Sequence, residues 1–368
     1  MIDGFCDPDF ARVGDAFAAN FADRGEIGAA VCVHAGGRKV VDLWGGHRDA
    51  DRSLPWEADT LVCMMSVGKG MAALCVHRLI EQGRVELDRP MADYWPEFAQ
   101  GGKGDVLVSH VLGSTSGVLF ADSAPPGSVL DWDVMTNAIA RQPAEWAAGT
   151  QGAYQSMTMG FMLGELVRRV DGRPLARYFA EEISRPLDAE YGWGLNAGQI
   201  ARTADIIGNG AHPTLQAFAD PSTKLGRAWH MRPAGTRFYN TPEFRGGVLP
   251  SSNGHGTARG VATIYAALLE DGLLVSTATR ERMRTLSWDS ECGMTGRAYR
   301  YAKGFFLDKP PLVPMGPNPG AFGHPGAGGA LGFVDPEAGI AFAYAPNLMC
   351  EGAGSGERCT ALVDALFA

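Results

Sequence analysis

The sequence of 368 residues carries 41 acidic and 32 basic side chains, a formal charge of −9, and is 46% hydrophobic and 20% charged. That composition belongs to a folded globular protein rather than a disordered chain, and the acidic balance argues against a general nucleic-acid binder, which needs a basic face. The length exceeds the usual size of one compact core and predicts two subdomains.

The amino end, MIDGFCDPDFARVGDAF, places acidic residues where a secretory signal would place lysines and an apolar run. Two β-branched runs in GAAVCVHAGGRKVVDLWGG (28 to 46) meet at Gly36-Gly37, a hairpin signal. VCMMSVGKGMAALCVHRLIEQG (62 to 83) predicts a helix from about Ser66 to Gln82, with Gly83 as its stop. Gly68 stands in the first turn of that helix, where almost any other residue would favour helix more.

Helical pieces broken by Gly and Pro follow to about residue 230, among them MTMGFMLGELVRRV (157 to 170) and PLARYFAEEISRPL (174 to 187). Beyond Gly246, ARGVATIYAALLEDG predicts a helix. GALGFVDPEAGIAFAYAP (329 to 346) predicts two strands across a turn at Asp335-Pro336. RCTALVDALF predicts a closing helix, and the turn-rich stretch 309 to 329 reads as a functional loop. No stretch approaches a membrane span without a charge. The seven cysteines are scattered and form no C-x-x-C, a pattern of reduced thiols that predicts a cytoplasmic protein.

Ser66-Val67-Gly68-Lys69 is the single Ser-x-x-Lys of the chain. Residues three apart share a helix face, so the Lys69 amine can reach the Ser66 hydroxyl. A partly desolvated lysine can take that proton, and the helix N-terminus favours the developing negative charge. The plainer alternative is a capping serine followed by a surface lysine. Tyr154, in GAYQSMTMGFMLGEL, offers a phenol or phenolate for proton transfer, or an aromatic ring for the core. In FGHPGAGGALGF (322 to 333), glycines allow a strand edge to approach a ligand. His324 would then point into the site and a backbone N–H would serve an oxyanion; a tight hairpin with an incidental histidine is the alternative.

In this order the three elements resemble the serine β-lactamase and penicillin-binding-protein superfamily, nearest its class C branch and the family VIII carboxylesterases. VSHVLGSTSGV (108 to 118) is similar to that superfamily's L-L-x-H-T-S-G-L segment. GRPLARYFAEEISRPLDA (172 to 189) is similar to its G-x-x-L-x-x-Y-x-x-x-x-I-x-x-P-L-G run. The likeness runs from about residue 25 to the end. It implies a mixed α/β fold of the α+β type, with an antiparallel sheet formed from both termini and flanked by helices. Residues 1–83 and 246–368 would form the sheet domain, 84–245 a mainly helical domain, and the active-site cleft would lie between them.

The resemblance further implies acyl transfer through an acyl-enzyme on Ser66, with Lys69 and Tyr154 sharing the proton work and no cofactor or metal. The backbone N–H groups of Ser66 and Ala327 would form an oxyanion hole, and Ser156, His324 and Gly326 would bind substrate. Ser156 replaces the asparagine of β-lactamases and His324 their lysine, and both departures lean toward esterases. Ser114 replaces the usual histidine of the L-L-x-H-T-S-G segment. The expected function is a serine hydrolase of carboxylic esters with small to medium acyl groups. β-Lactam or D-amino-acid peptide hydrolysis, transfer to a non-water acceptor, and a non-catalytic binding relative are the alternatives. Cys63, one turn before Ser66 among apolar neighbours, reads as a buried thiol rather than a nucleophile. His255, in PSSNGHGTARG, either borders the cleft or is structural.

Overall fold

The computed structural model describes residues 1–208, 213–233, 237–350 and 354–368. A nine-stranded sheet runs in the order β1-β3-β2-β12-β11-β10-β9-β8-β7, antiparallel throughout. Its strands are β1 (Ile2–Cys6), β2 (Gly28–Ala35), β3 (Arg38–Gly46), β7 (Trp288–Glu291), β8 (Ala298–Tyr301), β9 (Phe306–Leu307), β10 (Phe322–Pro325), β11 (Leu331–Asp335) and β12 (Ile340–Pro346). A small second sheet orders β4 (Val62–Cys63), β6 (His255–Gly256) and β5 (Tyr191–Gly192).

The hairpin at Gly36-Gly37 forms as the sequence requires, because both glycines take positive φ (57° and 73°) and the two-residue turn matches the strand twist. The β11–β12 pair and the closing helix, Gly356–Phe367, also stand where predicted. Strands from both ends of the chain thus lie side by side, β2 against β12.

The sheet extends through β7–β9, which lie within the carboxy-terminal segment 246–368 expected to build it but carry no clear alternation in sequence. Trp288 stacks on its cross-strand partner Tyr301 with ring centroids 5.7 Å apart and anchors that extension. The stretch 309 to 329 is not wholly a loop, since β10 lies within it in the middle of the sheet. The segment 174 to 187 is one turn of α-helix, Leu175–Phe179, continued by a π turn over Ala180–Ser184.

The helix Val67–Glu81 occupies the centre of the molecule, between β10 and the helix Thr158–Asp171. Twelve of its residues are buried, on every side, which explains why it shows no polar stripe. Gly68 answers to this position. A Cβ there would lie 2.4 Å from the Pro250 carbonyl oxygen, so only glycine lets the Pro250–Ser251 segment cross the first helical turn. No helix among the described residues is long and apolar enough to cross a membrane.

Candidate active site

Ser66 stands at the mouth of the Val67–Glu81 helix, delivered by Met65, a non-glycine residue at φ 47°. That left-handed conformation turns the chain sharply from β4 into the helix and costs on the order of 1–3 kcal/mol, borne by the burial around it. Lys69 follows one turn later with no exposed surface. Its Nζ lies 3.0 Å from Ser66 Oγ and 2.8 Å from the Ser251 carbonyl oxygen, while Ser66 Oγ lies 3.3 Å from the same carbonyl. No carboxylate among the described residues pairs with this amine. Burial alone therefore holds its pKa well below the ordinary lysine value.

Tyr154 closes the arrangement. Its hydroxyl hydrogen-bonds Ser66, and its ring face lies 4.8 Å from Lys69 Nζ. Burial raises the phenol well above its usual range. The two shifts run in opposite directions and favour a neutral amine beside a neutral phenol, not an ammonium–phenolate pair.

The loop carrying Tyr154 is pinned by a residue whose meaning was not legible in the sequence. Ser114 Oγ donates to the Ala153 carbonyl (3.0 Å) and accepts from the Gln155 N–H (3.1 Å), and its own carbonyl accepts the Ala153 N–H (2.9 Å). Gln155 also donates to Ser116, and the Tyr154 N–H donates to Cys292 Sγ at 3.1 Å. Every backbone neighbour of Tyr154 is thus tied down.

A cavity of about 120 Å³ opens over this centre. Ser66, Tyr154, Ser156, Gly326 and Ala327 line it, together with an apolar wall of Phe218, Leu225, Trp229, Phe306, Leu312 and Val313. The N–H groups of Ser66 and Ala327 donate to no described residue, whereas the Gly326 N–H is held by the Ala330 carbonyl at 2.7 Å. A Cβ at Gly326 would lie 2.2 Å from the Met64 carbonyl oxygen, so glycine there lets β10 approach the Ser66 turn.

The Beta-lactamase family model matches residues 14–364. The chain belongs to that family. It is 32% identical to the Esterase/beta-lactamase LipL of Mycobacterium tuberculosis, over 94% of this chain and 82% of that one. Against the Esterase EstB of Burkholderia gladioli it is 27% identical, covering 97% and 95%. Among solved structures, a family VIII carboxylesterase superposes with a TM-score of 0.91 at 35% identity, over 100% of this chain and 99% of that one.

Within this member of the Beta-lactamase family, one expected substrate-binding residue is placed differently from the sequence reading. His324 does not point into the cavity. It is fully buried on β10, its ring 6.0 Å from that of Tyr154 and 5.0 Å from that of Phe306. Burial holds it well below the usual histidine range, and its Nδ1–H donates to the Pro325 carbonyl at 2.7 Å. Ser156 does line the cavity, but its Oγ already accepts the Trp229 indole N–H at 2.8 Å. Cys63 is a buried thiol pushed up to about 12, donating to the Ser252 carbonyl. His255 lies buried on β6, bonded through Nδ1 to the Asn253 carbonyl, and lines a separate groove away from Ser66.

Proposed function

We propose that this protein is a serine hydrolase that cleaves carboxylic esters of small to medium acyl groups through an acyl-enzyme on Ser66. The observation that carries this reading is the 3.0 Å contact between Ser66 Oγ and a buried lysine amine without a counter-charge. Depressing the lysine pKa enlarges the fraction of neutral amine, the form that can take the serine proton. The carboxylesterase and esterase relatives support the same reading.

In this mechanism Ser66 Oγ attacks the ester carbonyl while its proton passes to Lys69 Nζ. The N–H groups of Ser66 and Ala327, which have no partner among the described residues, stabilise the oxyanion. Tyr154, neutral and bonded to Ser66, gives its proton to the departing alkoxide and recovers one from Lys69. Water then enters and the same groups run the transfer in reverse. One observation favours esters over β-lactams. His324 lies outside the cavity, so it does not offer the ligand that the lysine of the β-lactamase pattern would supply there.

The lining residues support placing the cleft between a sheet domain (1–83 and 246–368) and a mainly helical domain (84–245), since both contribute to the wall. The cysteines are all free thiols, which supports a reducing, cytoplasmic setting.

The test is turnover of short p-nitrophenyl esters by wild type and Ser66→Ala, with intact-mass spectra of each mixture. Turnover and a trapped acyl adduct, both lost in the variant, are expected. A wild type that neither turns over esters nor gains mass would sink the proposal in favour of a binding-only relative.

A further inference from the structure

The catalytic groups account for one end of the cavity. At the other end lies a charge that no step of ester cleavage uses. Arg297, on the turn between β7 and β8, is the single charged residue among the described residues that line the cavity. It is half-buried and makes no ion pair with any described residue. Of the two acids on the same hairpin, Asp289 is committed to Arg300 and Lys309, and Glu291, exposed at the end of β7, makes no ion pair with Arg297.

The position of Arg297 is fixed relative to the catalytic centre. Its carbonyl accepts the Cys292 N–H at 2.8 Å, and Cys292 Sγ in turn accepts the Tyr154 N–H. Through side chains the path runs over two ring contacts, Tyr154 to Phe306 (5.6 Å between centroids) and Phe306 to Tyr299 (5.1 Å). The Tyr299 hydroxyl hydrogen-bonds Thr295 and Arg297, and all three residues line the cavity. The guanidinium is therefore flanked by hydroxyls and separated from Ser66 by apolar wall.

A guanidinium in such a wall loses part of its hydration and gains no counter-charge from the described residues. Its planar fork is matched to a carboxylate. The chain as a whole carries −9 and repels anions, so a local cation at the cavity decides whether an anionic substrate is accepted. We propose that Arg297 is a specificity-determining residue that selects esters bearing a carboxylate several bonds from the scissile carbonyl, such as half-esters of medium-length dicarboxylic acids. The selection rests on the ester-hydrolase reading for its chemical use, but the anion subsite itself can be measured without turnover.

Titration calorimetry on the Ser66→Ala protein compares monoethyl adipate with diethyl adipate, with and without Arg297→Met. The half-ester is expected to bind about tenfold more tightly than the diester at low ionic strength. The preference should shrink with added salt, disappear in Arg297→Met and survive in part in Arg297→Lys. Equal affinities, a preference that persists in Arg297→Met, or no binding of either compound overturns the proposal. Wild-type turnover of monoethyl adipate and of p-nitrophenyl butyrate separates the two readings. Selective binding without turnover of either ester removes the hydrolase reading and leaves the subsite. Cleavage of the butyrate without selectivity for the half-ester removes only the subsite.

Discussion

Replacing Gly68 by alanine sets two effects of known sign against each other. Helix propensity alone would gain about 1 kcal/mol from the change. The new methyl, however, would stand 2.4 Å from the Pro250 carbonyl oxygen, about 1 Å short of ordinary contact, and 3.3 Å from the Tyr191 hydroxyl. Neither neighbour can swing away freely: one is backbone and the other belongs to a fully buried phenol. Overpacking of this kind costs about 1–3 kcal/mol, so after the propensity gain the net change is a destabilisation of up to about 2 kcal/mol. The displaced segment also carries the Ser251 carbonyl that fixes Lys69 Nζ at 2.8 Å. Activity should therefore fall by about 10-fold or more, because a displacement of this size in a positioned catalytic group is enough. Urea unfolding and ester kinetics on the purified variant measure both. A variant as stable as wild type, with unchanged kcat, would refute the argument that Gly68 exists to admit the Pro250–Ser251 segment.

Lys69→Ala and Tyr154→Phe should each lower kcat/KM by orders of magnitude, since groups that act as one unit fail together; near-normal rates in Lys69→Ala would overturn the mechanism. The pH profile follows from the same lysine. Its active form is the neutral amine and its pKa is depressed, so kcat/KM should rise with pH and level off well below 10.5, whereas a rate still climbing at pH 10 contradicts it. Ser114→Ala removes two of the three bonds that Ser114 makes to the Tyr154 loop and should lower kcat about 10-fold with little change in KM, the mark of a positioning residue; an equal rise in KM would point to a binding role. Arg358→Met leaves the Glu26 carboxylate buried without its partner, and chemical denaturation should show a loss of about 3–5 kcal/mol; a shift under about 1 kcal/mol would mean Tyr344 alone satisfies that carboxylate.

The parts of this site legible in the sequence are those where chemistry and spacing coincide. Ser66 and Lys69 sit three apart at a helix start, and that spacing alone brings amine to hydroxyl. Gly68 was legible as an anomaly, though its cause, a carbonyl from residue 250, lies far away in sequence. His324 shows the limit. Its place on a strand beside glycines can be read, but which face of β10 meets the cavity depends on the register with neighbouring strands. The histidine faces the central helix, where a Cβ at Gly70 would come within 3.3 Å of it. Ser251 contributes only a backbone carbonyl, which no side chain announces. Ser114 acts through bonds to a loop 40 residues away, and Arg297 belongs to no motif at all. Likewise β7 and β8, short and polar, acquire strand character only from neighbours already in the sheet.

The pairing of β2 with β12 has a consequence for biosynthesis. Val31 finds its partner Tyr344 only when more than three hundred residues separating them have been made. The β10 strand, one wall of the Val67–Glu81 helix, also emerges late, at residues 322–325. During translation the helix bearing Ser66 therefore waits, largely apolar and uncovered, for its lid of sheet. Ribosome-bound chains stalled before β10 should be inactive and should depend on chaperones to hide that helix. Hydrolytic competence is the last property the nascent chain acquires.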